Sequence, residues 1–316
     1  MDGKRGTRHR TRLGTLLVGV AVLGGCSHGT GHRAMVTPPR GESVIVASFN
    51  FPESELLAEI YAQSLEHAGV PVQREFDLGP RELVQPAQRQ GLVDVVPEYL
   101  GTALTSIAPG ASVDRMDPAA VLAALRSHLA PWHLSALRPA AASDQNGFAV
   151  TPATAGRLHL RTLSDLAAAK PALTMGGPSE CPTRPYCLAG LQRLYGLRVK
   201  QFLPFDDETQ RMEALYEGVI DVAVTFTTDG WLATRRLALL RDDRRLQPTE
   251  QVVPVVSDRV LQRYGMRLQH SLDAVSARLD SRSLIFLNWR VTVAGNDVHA
   301  EAHGWLERHG LLAAAR

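Results

Sequence analysis

The apolar positions of this chain fall into short blocks that alternate with helical patterns. Val44-Ile45-Val46-Ala47-Ser48 is apolar and rich in β-branched residues, as a buried strand requires. From Pro52 onward Leu56, Leu57, Ile60, Tyr61 and Leu65 recur at helical spacing. Glu53 and Glu55 sit near the start, where the helix dipole favours acids, and Gly69 ends the pattern. Val70–Phe76 reads as a second strand, a second helix surrounds Arg81–Gln90, and Val93–Val96 reads as a third strand. This β-α-β-α-β order predicts a parallel sheet with helices on its faces.

The same order returns further on. Leu173–Gly177 reads as a strand, Leu188–Tyr195 as a helix, Val199–Leu203 as a strand, Thr209–Glu217 as a helix and Asp221–Thr225 as a strand. EALYEGVIDVAVTF parallels the earlier VQPAQRQGLVDVVPEY, both running helix, Gly, apolar residue, Val/Ile-Asp-Val, strand. The C-terminal stretch has the strand-like Val252–Val256, then helix signals at Val260–Arg263, Leu268–Leu279, Ser283–Arg290 and Val298–His309. The prediction is an α/β chain of two similar lobes, each a mostly parallel sheet flanked by helices. A chain that leaves one lobe, builds a second and returns has its ligand cleft between the two.

With 45% hydrophobic and 21% charged residues over 316 positions, the composition excludes a disordered chain, a collagen-like fibre, a disulfide-dense miniprotein and a polytopic membrane protein. The formal net charge of +2 misleads until the charges are located. Lys4, Arg5, Arg8, Arg10 and Arg12 precede an apolar run from Leu13 to Leu23, about eleven residues against the roughly 20 that span a bilayer. Leu23-Gly24-Gly25-Cys26 follows. A basic segment, a short apolar segment and small residues before a cut read as an export signal, residues 1–25. Cys26 resembles the lipidated first residue of a bacterial lipoprotein; the alternative is a free cysteine after an ordinary signal. Five of the 34 bases but only one of the 32 acids lie in that signal, so the remaining chain is about −2 and carries no basic track for nucleic acid. Residues 26–42, polar and rich in Gly and Pro, read as a flexible tether.

Cys181 and Cys187 in ECPTRPYC are read as a disulfide in an exported protein, with a zinc site as the alternative. His299 and His303 stand at i, i+4 on a helix, but HAEAH is not the HExxH metal motif, so no metal is expected. The sequence has no GxSxG elbow, no P-loop and no Cys-His nucleophile pattern. No catalytic residue and no cofactor are therefore assigned.

Asn50-Phe51-Pro52-Glu53, Pro97-Glu98-Tyr99-Leu100-Gly101-Thr102, the Glu180–Cys187 segment, Thr228-Asp229-Gly230 and Val252–Val256, in this order, resemble the substrate-binding lipoproteins of osmoprotectant ABC transporters, which take glycine betaine, carnitine or choline. The resemblance covers roughly residues 43–312. It implies a two-lobed type II periplasmic-binding-protein fold, with 43–143 and 248–316 forming one lobe and 144–247 the other. It also implies a monomer, lipid-anchored at the outer face of the bacterial cytoplasmic membrane, that delivers a small solute to an ABC permease. The aromatic cage that holds a quaternary ammonium by cation–π attraction maps onto Tyr99 and Phe226. Thr102 corresponds to a ligand contact, Arg184 to the carboxylate-binding arginine and Glu180 to its neighbour. Phe49, beside Asn50, is a further wall candidate. Asp144, Gln145 and Asn146 stand where the family has a cage tyrosine, and Glu250 near where it has another. Glu250 is open to two readings, direct contact with a cation or a solvated loop acid. Fewer tyrosines and more amides and acids leave room for another small polar or aromatic solute. The same residues are also compatible with an exported enzyme or a ligand sensor built on this fold.

Overall fold

The computed structural model describes residues 42–312, except 111, 112, 114, 115, 170–172 and 235. The export signal of residues 1–25, Cys26 and nearly all of the tether lie outside the described residues. The first lobe opens with β1 (Val44–Ala47), α1 (Pro52–His67), β2 (Val72–Glu75), α2 (Arg81–Arg89), β3 (Val95–Tyr99), α3 (Leu100–Ile107), α4 (Pro118–Leu129) and β4 (Leu134–Ala136). The second contains β5 (Asn146–Val150), α5 (Pro152–Leu158), α6 (Leu163–Ala168), β6 (Thr174–Gly177), α7 (Leu188–Tyr195), β7 (Gln201–Pro204), α8 (Glu208–Tyr216), β8 (Val222–Phe226) and β9 (Ala238–Leu239). The chain then returns through β10 (Val252–Ser257), α9 (Asp258–Tyr264), α10 (Met266–Ser276), α11 (Ser281–Asn288), a π-helical turn (Trp289–Val293) and α12 (Val298–Arg308).

Two five-stranded sheets result, in the orders β2-β1-β3-β10-β4 and β7-β6-β8-β5-β9. In each, three parallel strands are followed by one antiparallel strand and an edge strand. The Val/Ile-Asp-Val repeat has a physical cause. Asp94 accepts a hydrogen bond from the Ile45 backbone N–H at 3.0 Å, and its own N–H donates to the Ile45 carbonyl at 2.8 Å. Asp221 does the same with Thr174, at 2.9 and 2.8 Å. The aspartate thus fastens the start of the third strand to the first in both lobes, using a backbone donor that the ladder leaves open.

β3 and β10 meet with Pro97 facing Pro254. Neither has an N–H to give. The Pro254 carbonyl accepts from Leu137 N at 3.0 Å, so its missing donor points toward β4 rather than into the β3 ladder. Arg126 satisfies carbonyls on that side, donating from Nε to Ala136 O at 2.8 Å and from Nη2 to Leu137 O at 3.1 Å.

α1 is buried along almost its whole length, packed against α10 and α12. Its buried Glu59 is paired with Arg74 at 2.7 Å and accepts from Gln63 at 2.8 Å, as burial of a charge requires. The two crossovers between lobes pair with each other. Ala140 N donates to Val252 O at 2.8 Å, Val252 N to Ala142 O at 3.0 Å and Asp144 N to Glu250 O at 3.0 Å. They form a short antiparallel ribbon rather than two independent strands. Cys181 and Cys187 are disulfide-bonded. Among the described residues no helix is long and apolar enough to cross a membrane, and no group of three or more His, Cys, Asp or Glu is placed to hold a metal.

Candidate functional site

The carboxyl ends of β3 and β8 face one cavity of about 370 Å³ between the lobes. Parallel sheets favour this position because loops leaving the strand ends carry side chains into the crevice. Phe51 and Glu53 enter it from the start of α1, Arg81 from the start of α2, and Tyr99 and Thr102 from the β3–α3 junction. Tyr186 comes from the disulfide loop, and Phe226, Thr228 and Asp229 from the end of β8. Asp144, Gln145, Asn146 and Glu250 come from the crossovers, and Asn288 from the end of α11.

Of the residues expected from the sequence, Tyr99, Thr102, Asp144, Gln145, Asn146, Phe226 and Glu250 line this cavity, while Arg184, Glu180, Phe49 and Asn50 do not. The reasons are local. Successive turns in the disulfide loop leave Glu180 and Arg184 exposed and bring Tyr186 to the wall. Tyr186 is held there through its carbonyl, which accepts from Gln247 Nε2 at 2.8 Å and Asn146 Nδ2 at 3.3 Å. After β1 the chain stays buried through Phe49, which packs in the core beside Val84, Val93 and Val96, and then bends at Asn50 and Phe51, leaving Asn50 exposed. Phe51 stacks on Phe49 with ring centroids 5.9 Å apart and lies 6.3 Å from the Tyr99 ring. Phe51 and Phe226 are 37% and 42% exposed, and both turn apolar surface toward the same cavity.

Below the rings is a polar network that joins the lobes. Tyr99 OH donates to Glu53 Oε1 at 2.6 Å. Thr228 Oγ1 and Asn288 Nδ2 donate to Glu53 Oε2 at 2.6 and 2.5 Å. Asn288 Nδ2 also donates to the Thr228 carbonyl at 2.8 Å, and Thr228 N donates to Asp144 Oδ1 at 3.2 Å. Glu53, Tyr99 and Asn288 belong to the first lobe and Thr228 to the second. Gly230, two residues on, packs against the backbone of Asn288 and Trp289 so closely that a Cβ there would lie 2.6 Å from Trp289 N.

Burial dominates the electrostatics. It pushes the Glu53 carboxyl up, against the pull of the Thr228, Tyr99 and Asn288 hydrogen bonds. Burial and then the nearby Glu53 charge hold Asp144 well above the usual carboxylate range. Glu250 is pushed up to about 7 by burial, with the two hydrogen bonds from Thr102 working the other way. Glu208, at the start of α8, is pushed up to about 9 by burial and by Asp229. Arg81 is gripped by Glu98, with Nε donating at 3.1 and 3.2 Å and Nη2 at 2.8 Å. Burial pulls Arg81 down, but Glu98 outweighs it and the guanidinium stays charged. Phe51, Glu53, Tyr186 and Thr228 stand inside the quoted motifs, which do not single them out as site residues, and Arg81 carries no local sequence signal for this site.

The profile of a family described as the substrate-binding domain of the ABC-type glycine betaine transport system matches residues 42–308. The chain belongs to this family. Its members are extracytoplasmic substrate-binding proteins that bind small solutes and work with an ABC permease. A glycine-betaine-binding protein of Pseudomonas aeruginosa is 28% identical, covering 86% of this chain and 90% of its own length. The glycine betaine-binding protein YehZ of Escherichia coli is 29% identical over 82% of this chain and 88% of itself. The solved structure of apo YehZ superposes with a TM-score of 0.71 at 26% identity, covering 85% of this chain and 99% of that one. A structure described as a glycine betaine/carnitine/choline ABC transporter gives 0.76 at 22% identity, covering 85% and 100%, and supports the two-lobed fold alone. The family's two-lobed α/β architecture is the one seen here, with matching strand orders in both sheets.

Proposed function

We propose that this chain is the lipid-anchored receptor of an ABC importer for a small quaternary-ammonium osmoprotectant of the glycine betaine, carnitine or choline kind. The observation that carries the reading is the interlobe cavity with Phe51, Tyr99, Tyr186 and Phe226 around it and acids beneath. Ring faces attract a cation that has no hydrogen to donate, each good contact contributing about 0.5–2 kcal/mol. Residues 43–143 with 248–316, and residues 144–247, are the two bodies that close on the solute, and the closed monomer is what the permease recognises. Cys26 carries the lipid that keeps the receptor at the outer face of the cytoplasmic membrane.

Calorimetry on residues 27–316 with glycine betaine, carnitine and choline tests the binding. At least one should bind, and Phe51→Ala should weaken it about two- to thirtyfold, the span of one cation–π contact. Failure of all three to bind removes the quaternary-ammonium reading. The anchor is tested separately. Cells fed a clickable palmitate should label the full chain, and Cys26→Ser should abolish the label; labelling that persists in the variant counts against lipidation at Cys26.

A further inference from the structure

The cavity is more acidic than a zwitterion needs. Glu53, Asp144, Glu208, Asp229 and Glu250 line it, against Arg81 as the one basic lining residue among those described. Arg81 is already held by both oxygens of the buried Glu98. A ligand carboxylate would have to compete with Glu98 for that guanidinium and approach the other acids as well.

Asn288 gives a second, independent indication. It is 5% exposed and lines the cavity. Its Nδ2 donates to the Thr228 backbone carbonyl, which can only accept, so the orientation of the amide is fixed. Asn288 Oδ1 is then a buried acceptor with no hydrogen-bond partner among the described residues. A buried acceptor calls for a donor. A ligand carboxylate offers none, whereas a hydroxyl does.

We propose that the cavity selects a net cation whose polar tail donates a hydrogen bond, an ammonium alcohol of the choline kind, over ammonium carboxylates such as glycine betaine, and that Glu250 is the charge that decides between them. The inference deepens the quaternary-ammonium reading above and rests on it. Glu250 is chosen over Glu53 and Asp229 because among the described residues Thr102 alone donates to its carboxylate, and over Asp144 and Glu208 because burial holds Asp144 well above the usual carboxylate range and pushes Glu208 up to about 9. Glu53 already accepts from Tyr99, Thr228 and Asn288, and Asp229 from Thr225 and the Trp231 N–H. Among the described residues Glu250 accepts from Thr102, at 2.5 Å from Oγ1 and 3.1 Å from the backbone N, in the first turn of α3, where the helix end favours an anion. The charged groups facing it are Arg81, Glu98 and Asp144. A cation arriving in the cavity favours its ionised form, so binding displaces a proton from the site near neutrality.

The test is calorimetry on the native chain with choline, choline methyl ether and glycine betaine, at pH 8 and pH 6. Choline should bind about tenfold or more tightly than glycine betaine, and the methyl ether, which lacks the donor, should lose about three- to tenfold against choline. Choline should bind more weakly at pH 6, where Glu250, pushed up to about 7, takes up its proton. Glu250→Gln, which can still accept from Thr102, should bring choline and glycine betaine within about threefold of each other. Glycine betaine binding as tightly as choline, or a Glu250→Gln variant with an unchanged preference, overturns this inference and leaves the quaternary-ammonium reading standing. Binding of neither overturns this inference, and the quaternary-ammonium reading falls with it only if carnitine also fails to bind.

Discussion

Asp94→Ala will cost the fold about 2–4 kcal/mol, since leaving a buried hydrogen-bonding group unsatisfied costs about 1–3 kcal/mol. The equivalent Asp221→Ala will cost about 1 kcal/mol, the scale of a single hydrogen bond. The two aspartates hold the same place in the two lobes, so the contrast isolates burial and partners. Asp94 is 0% exposed and accepts from Ile45 N at 3.0 Å, Ser257 Oγ at 2.6 Å and Arg259 Nη2 at 2.6 Å. Removing it strands an amide and a hydroxyl away from water. The Arg259 side chain is 46% exposed and contributes the smaller share. Asp221 is half-buried, and its side chain is bonded to Thr174 N. Urea unfolding of the two variants measures the difference, and equal costs would show that the shared strand-fastening bond, not burial, sets the stability of both lobes.

Gly230→Ala should reduce ligand affinity about ten- to hundredfold while leaving each lobe folded. A Cβ at this position would meet Trp289 N at 2.6 Å, Trp289 Cα at 2.7 Å and the Asn288 carbonyl carbon at 2.8 Å. All three are backbone atoms and cannot turn aside as a side chain would. Overpacking of this kind costs about 1–3 kcal/mol, which here falls on the contact between the lobes. Relief by separating them would break the bonds from Thr228 to Glu53 and from Asn288 to Thr228. A factor of ten in affinity corresponds to about 1.4 kcal/mol. Affinity by calorimetry and circular dichroism on the same sample separate the two effects. Native affinity in the variant would show that the lobes need not come this close to hold the solute.

The parts of the fold legible in the sequence are those where strand and helix patterns alternate cleanly. Both β-α-β-α-β runs are of this kind, and the Val/Ile-Asp-Val repeat marks equivalent strands because the same hydrogen bond is needed twice. Residues 100–107 are harder to read, since α3 follows β3 directly: Tyr99 is extended and Leu100 is already helical, with no side-chain cap between them. The third strand continues through Pro97 to Tyr99, where a proline argues against a strand; it is accommodated because Pro97 and Pro254 face each other at a position where the ladder between β3 and β10 uses neither donor. In the site, spacing and resemblance point to residues on strand ends and crossovers. They do not tell which of two neighbouring side chains turns inward. Phe49 and Phe51 have the same parity, and only the bend at Asn50 and Phe51 separates them, while Arg184 and Tyr186 differ in the turns of a loop closed by a disulfide. The Glu53–Thr228–Asn288 network joins positions far apart in the chain, and no local pattern announces it.

The ribbon formed by the paired crossovers carries Asp144 and Glu250, and for a receptor whose lobes turn about that ribbon the two acids lie on the axis. Groups on an axis of rotation hardly change place as the bodies swing. These two acids therefore meet an incoming cation in the same arrangement whether the lobes stand apart or together, whereas Phe51 and Phe226 come from opposite lobes and must be brought to it. For the cation proposed above, the acids would then act on the speed of capture and the rings on the length of stay. Added salt, which screens charge over about 8 Å at physiological ionic strength, should slow arrival and leave departure nearly unchanged.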